Sequence, residues 1–427
     1  MTRRRKRPNY FGWVVFGLVL LFGYYFNQVY LPTQPNPFEP TPTVTRSPES
    51  YVTEAEALFK EGKLFQSIEA YKEAVRLSPQ DSTLYIALAR MQVWAGQYEE
   101  AQENAESGLL LSSNNAMAHA VRAWALDFQG GPDNNAEALS SIEQALTIDS
   151  QNPLIYAYYA EILVDSNSAD NVEKAIEASK KALALDPNLV ETRRARGYLL
   201  YNTGGADYAI NFEEAIVQFQ EAIKINKNLA ILHMELGDCY RALQVTDKAV
   251  QEYTIANTLN PPDPDPEYFI SRTLATVGDY AKAVQYAEQA MLDDPTQARL
   301  HGNYGVMLYR NLSWAEAVDE LRLATNGGRT KDNQDVVGLP LTVNDPRATE
   351  YYFTFGLALA RTNQCGEALL IFQSLQTRVP SDEIAMEAAA KIIEICQENL
   401  DNPAVDTPTP SPVVSPTEET TPTPLPN

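Results

Sequence analysis

From residue 48 to about residue 383, apolar residues recur at helical spacing in paired amphipathic stretches, and the pair restarts about every 34 residues. The unit from Ala230 to Asp263 shows the pattern most fully, with Pro261 punctuating its exit. Three small residues in it, Gly237, Ala249 and Ala256, mark the places where two helices must approach closely. Gly237 and Ala249 fall on opposite helices, whereas Ala249 and Ala256 lie two turns apart on one face. The same triple recurs in nine copies, from Ala55/Ser67/Ala74 to Gly356/Ala368/Leu375. The second gap is 7 in every copy, and the first is 12 except in copies three to five, where it is 15, 15 and 18. Those additions fall in the turn between the two helices, where a stacked array tolerates insertion. Copy nine departs at Leu375, which predicts that its last helix packs less closely.

An aromatic, then Leu-Gly, Tyr, Ala, a second aromatic, Ala and Pro at these offsets resembles the tetratricopeptide repeat. The resemblance implies an all-α fold: a right-handed α-solenoid of about nine repeats over residues 48–383. Ser381 to Leu400 reads as one more helix, with Ser381 as N-cap and acidic Asp382 and Glu383 in its first turn. The cap helix that a solenoid end requires is placed at 384–400. Residues 327–346, including Gly327-Gly328 and Pro346, break the period and are expected to form an extended surface loop.

Before the repeats the pattern changes. Arg3 to Arg7 is basic, and residues 9–31 are uncharged with a continuous apolar heart from Phe11 to Phe26. About 20 residues of helix span a hydrocarbon core. Tyr10 and Trp13 at one end, and Tyr24, Tyr25 and Tyr30 at the other, suit the two interfaces. The chain is therefore expected to be a single-pass membrane protein, with residues 1–8 cytoplasmic and everything after residue 31 extracytoplasmic by the positive-inside rule. A cleaved signal peptide is the rival, but bulky Tyr24-Tyr-Phe-Asn-Gln-Val-Tyr30 stands where cleavage needs small residues. Residues 32–47 form a Pro/Thr-rich linker that could hold the repeats up to about 60 Å from the membrane. Residues 401–427 have the same Thr-Pro character and are expected to be disordered.

The net charge of -23 argues against nucleic acid, whose binding needs a basic face. No P-loop, nucleophile elbow, zinc-protease or EF-hand motif occurs, so the chain is not expected to be an enzyme, and no cofactor or metal is expected. His119, His233 and His301 share one place in the repeat, where the family packs an aromatic between helices, and read as packing residues.

The resemblance also implies a concave groove lined by the first helix of each repeat, which receives proteins or peptides. Projected onto this sequence, the candidate groove residues are Arg90, Trp94, Trp124, Phe128, Arg194, Tyr198, Tyr201, Arg241, Tyr268, Arg272, Tyr309, Arg310, Phe353 and Arg361. Arginine beside aromatics suits carboxylates and backbone and is hot-spot composition. The alternative is that these arginines are paired in ladders with acids such as Glu191, Asp238, Asp265 and Glu350. The implied function is a membrane-anchored extracytoplasmic scaffold or assembly factor. Alternatives are a chaperone-like accessory for newly exported proteins, or a structural envelope component that self-associates. Cys365 lies 15 residues before Pro380 and Cys396 lies 16 after it. Two helices turning at Pro380 would bring them nearly level, so they are either a disulfide or two packed, reduced cysteines.

Overall fold

The computed structural model describes residues 10–30, 46–166, 168–203 and 208–401. The basic segment Arg3–Arg7, nearly all of the linker, Gly204-Gly205 and the tail from residue 402 lie outside the described residues. Helix α1 (Tyr10–Tyr25) runs on into a π-turn at Phe26–Tyr30. Its 20 residues Tyr10–Val29 are long and apolar enough to cross a membrane.

Among the described residues, the remaining helices form nine hairpins and a terminal helix. The first five hairpins are α2 (Pro48–Lys60) with α3 (Leu64–Leu77), α4 (Ser82–Trp94) with α5 (Tyr98–Leu111), α6 (Ala116–Gln129) with α7 (Pro132–Ile148), α8 (Pro153–Asp165) with α9 (Ala169–Leu185), and α10 (Val190–Asn202) with α11 (Tyr208–Ile225). Four more follow: α12 (Ala230–Ala242) with α13 (Thr246–Leu259), α14 (Asp265–Thr276) with α15 (Tyr280–Asp293), α16 (Ala298–Arg310) with α17 (Trp314–Asn326), and α18 (Pro346–Arg361) with α19 (Cys365–Arg378). Helix α20 (Glu383–Asp401) closes the array.

Local chemistry sets these boundaries. The side chains of Asp81, Asn115, Asn152 and Asp345 each accept hydrogen bonds from the first free backbone N–H groups of the helix they precede. Inside the hairpins, one turn residue is left-handed in phase with the repeat. It is glycine at Gly62, Gly96 and Gly278, but Gln244, Leu312 and Asn363 adopt the same φ in copies six, eight and nine.

The small residues do what their spacing predicts. Ala249, Ala256 and their equivalents in the other copies are fully buried, and Ser67 donates a 2.8 Å hydrogen bond to the Ala55 carbonyl across its hairpin. At Gly237 a Cβ would lie 2.6 Å from the ring of Tyr253, which is itself fully buried. Leu375 differs from expectation, because it is as completely buried as the alanines it replaces, in one cluster with Ala385, Ala389 and Ile392 of α20. The terminal helix accommodates the larger side chain.

The insertion before copy nine is more than a surface loop. It carries a short antiparallel hairpin, β1 (Gly328–Arg329) and β2 (Asp335–Val336), and it sinks Val336 and Leu341 into the core. The Tyr352 hydroxyl lies 3.1 Å from both the Thr325 and Leu339 carbonyls and ties the insertion to α18.

The coil also closes on itself. Asn226 and Asn228, in the turn before copy six, donate side-chain hydrogen bonds of 3.2 and 2.9 Å to the Phe59 and Lys60 carbonyls of copy one. Gly62 sits at this contact, where a Cβ would collide with the Asn228 carbonyl. One hydrophobic cluster accordingly runs from Ala55 to Leu232.

Candidate protein-binding groove

The first helices of the hairpins line the inside of the coil, and the closure divides that inside into two parts. In copies two to six it is filled by the protein's own side chains. Arg90 of α4 pairs with Glu191 of α10, 101 residues away. Arg194 is 2% exposed and donates to Glu161 at 2.8 Å and to Glu235 at 2.6 Å. Its guanidinium also lies over the rings of Trp94, Phe128 and Tyr198, 5.4–5.8 Å from their centroids. Trp124 stacks on Tyr158 with centroids 4.3 Å apart, meets Trp94 edge-on at 5.4 Å, and donates its Nε1 proton to Glu161 at 2.8 Å. The Tyr198 hydroxyl donates to Asp165 at 2.6 Å. Six of the sequence-derived groove residues, Arg90, Trp94, Trp124, Phe128, Arg194 and Tyr198, thus make one internal network.

That network holds more acid than base. Asp127, Glu161, Asp165, Glu191 and Glu235 share the space with two cations, Arg90 and Arg194. Among the described residues, Asp127 Oδ1 and Glu161 Oε1 have no hydrogen-bond partner. Burial is the main reason that the Asp127, Glu161 and Asp165 carboxyls are held above the ordinary range. Burial also pushes Glu235 up to about 7 against the opposing pull of Arg194. A carboxyl with a raised native pKa favours the folded state while protonated. Its contribution is complete below the unfolded value of about 4.3 and is lost as pH rises through about 7. Moving from pH 8 to pH 5 should therefore raise the urea midpoint of the full-length protein, by on the order of 2 kcal/mol in stability. A midpoint that is flat or falls over that interval would contradict the expected direction.

In copies six to nine the inside is open. A cavity of about 850 Å³ is lined by Arg241, Arg272, Arg310, Arg347, Glu350 and Phe353, among others. Arg241 is held by Asp238 at 2.9 Å and by the Tyr253 hydroxyl at 3.1 Å. Arg272, Arg310 and Arg347 all donate to Glu350, at 2.9, 3.1 and 3.2 Å. Burial works to raise the Glu350 carboxyl, but these three guanidiniums outweigh it and hold the group below the usual range.

The other groove residues lie beside this cavity or away from it. Tyr309 is half-buried next to Arg310, and Tyr201 is half-buried against Phe212, 5.5 Å between centroids. Tyr268 is buried, with Arg272 and Arg299 against its ring. Exposed Arg361 lies over the Trp314 ring at 5.5 Å.

Sequence reasoning missed Arg347, which sits in the first turn of α18 outside the regular helix positions. It also missed Glu235 as the second partner of Arg194. His233 and His301 are buried, and each sits between a glutamate (Glu252, Glu320) and the carbonyl six residues earlier. The histidines are packing residues that also clamp the inter-repeat turn. Cys365 and Cys396 are joined as a disulfide with Cα atoms 5.6 Å apart, and Cys239 is free and buried.

Comparison with known proteins agrees with this geometry. Tetratricopeptide-repeat family models match residues 58–125 and 270–333. No curated protein matches the chain. Among solved structures, the human IFIT1 dimer with m7Gppp-AAAA is similar at 14% identity and TM-score 0.55, covering 81% of each chain. The APC/C hetero-tetramer Cut9-Hcn1 is similar at 16% identity and TM-score 0.47, over 61% of this chain. This chain spans about half, 49%, of that one. A thermophilic repeat protein of Thermus thermophilus is similar at 20% identity and TM-score 0.37, covering 45% of this chain and 98% of that one. Repeats of this kind are generally non-catalytic scaffolds for protein–protein interaction. With helical hairpins in the repeat's phase and family models matching two stretches of it, the chain carries tetratricopeptide repeats.

Proposed function

We propose that this protein is a membrane-anchored, extracytoplasmic scaffold that gathers partner proteins through the concave face of its C-terminal half. The observation that carries this reading is the contrast between the two halves. The inside of copies two to six is occupied by Trp124, Arg194 and their neighbours, whereas copies six to nine keep an open cavity of about 850 Å³. Arg241, Arg272, Tyr309, Arg310 and Phe353 are then partner contacts, while Arg90, Trp94, Trp124 and Arg194 hold the coil shut.

Arg3–Arg7 before an apolar helix of spanning length supports an anchor with the repeats outside the cytoplasm. The paired Cys365 and Cys396 suit the oxidising conditions found there.

Protease added to intact cells, after removal of any outer layer, should digest the repeats and leave the N-terminal residues. A photo-crosslinking amino acid at Phe353 should then yield a few discrete products, and the same group at Trp124 none. Protected repeats would refute the topology. A crosslink at Trp124 with none at Phe353 would refute the assignment of the binding face.

A further inference from the structure

We infer that the crevice between successive turns of the coil is a second binding site, and that it takes an extended segment of a partner protein in which a lysine or arginine lies among apolar residues.

Closure of the coil builds this site. A cavity of about 810 Å³ lies between residues 62–66 and 94–98, at the hairpin turns of copies one and two, and residues 228–234 and 259–265, at the starts of copies six and seven. It shares no lining residue with the C-terminal cavity. No run of consecutive repeats could form it, because its two walls lie more than 100 residues apart in the sequence. The Asn226 and Asn228 side chains hold the walls together through their hydrogen bonds to the Phe59 and Lys60 carbonyls.

The walls are apolar and aromatic, with one acid left over. Phe65 is 53% exposed, and Tyr98 and Met234 are half-buried. Tyr98 is stacked on Phe128 with centroids 5.0 Å apart, which fixes its ring as a wall. Trp94 lines the cavity too, and its buried Nε1–H has no acceptor among the described residues, which points to a partner from outside the chain. The charges do not balance. Lys63 pairs with Glu61, and Asp265 pairs with Arg299. Asp263 makes no ion pair among the described residues, and its carboxylate accepts the backbone N–H of Asp265 at 3.0 Å. Burial is the main reason that this carboxyl is held above the ordinary range, and a bound cation would offset that cost. A lysine or arginine of the occupant pairs with Asp263, its apolar neighbours lie on Phe65 and Met234, and one of its backbone carbonyls serves Trp94. Among the described residues, the only cation lining the crevice is Lys63, which is already paired, so a phosphate backbone or an acidic peptide gains nothing there.

The test is selection of phage-displayed random peptides on the immobilised full-length protein, with the affinities of synthetic copies read by fluorescence anisotropy. Winners that crosslink to a photoreactive group at Phe65 should carry Lys or Arg beside Leu, Ile, Phe or Pro. Asp263→Asn keeps an acceptor for the Asp265 N–H but removes the charge. It should weaken those peptides by at least about tenfold, as loss of a hydrogen bond between charged groups implies. The exposed substitution Phe65→Ser should weaken them as well, with helical content as the folding control. Bound peptide should slow hydrogen exchange at residues 62–66 and 259–265 together, because it bridges the two walls. Equal affinity for the Asp263→Asn protein would overturn the basic specificity. Winners that protect one wall alone, or a selection in which none reaches Phe65, would overturn the site. Dimerisation of the full-length protein through Phe65 would assign the surface to a second copy instead.

Discussion

Replacing Arg194 by leucine will destabilise the N-terminal half of the coil by about 3–5 kcal/mol at pH 8, because it strands two buried carboxylates. Its side chain is 3% exposed, and its partners Glu161 and Glu235 are 3% and 13% exposed. Leucine restores some apolar volume but provides no donor to either acid. The stranded acids can escape only by protonation, so the penalty should shrink as pH falls towards 5. Burial already pushes Glu235 up to about 7 in the intact protein, and removing the opposing Arg194 can only favour protonation further. Arg194→Lys will not rescue the loss, since one ammonium cannot reproduce the planar fork that serves Glu161 and Glu235 together. Urea denaturation followed by circular dichroism at pH 8 and pH 5 measures both effects. An unchanged midpoint at pH 8 would mean that the buried pairs contribute nothing.

Truncation of Trp124 to alanine should cost a similar amount, about 3–5 kcal/mol for a fully enclosed aromatic. Its side chain fills the centre of the coil, against Tyr158, Trp94 and Phe128, and its Nε1–H serves Glu161. A cavity there cannot collapse easily, because the rings around it belong to two further helices, α4 and α8, and to the next turn of α6 itself. Hydrogen exchange should show faster opening of α4, α6 and α8. Helices α16 to α19 should exchange as before, since repeats communicate mainly with their neighbours. Equal acceleration along the whole chain would show that the array unfolds as one unit.

The parts that were legible in the sequence share a physical origin. Close helix approach demands a small side chain at a fixed place, so Ala249 and its equivalents declare the hairpins one by one. Helix rise per residue brought Cys365 and Cys396 level without any knowledge of the fold around them. The closure of the coil was not legible, because it depends on the sum of small rotations over five repeats. No local signal in Asn228 or Glu191 points to Lys60 or Arg90, more than 100 residues away. Repeat register therefore placed Arg194 and Arg272 in the same class, although one is buried between acids and the other faces a cavity. Arg347 escaped for the opposite reason. The irregular insertion before α18 shifts it off the positions that the repeat defines, and only the folded chain brings it to Glu350.

The centre of the first half of the solenoid, around Trp124, Tyr158 and Arg194, is buried, while the second half keeps a cavity at Arg272 and Arg310. Hydroxyl-radical footprinting of the intact protein, read by mass spectrometry, tests this division most directly. Trp124 and Tyr158, at 1% and 0% exposure, should resist oxidation while half-buried Phe353 and Tyr309 react and exposed Phe65 reacts fastest. Oxidation of Trp124 and Tyr158 at the rate of Phe353 would show that the coil is open along its whole length, and would contradict the division of the solenoid into a closed half and a binding half.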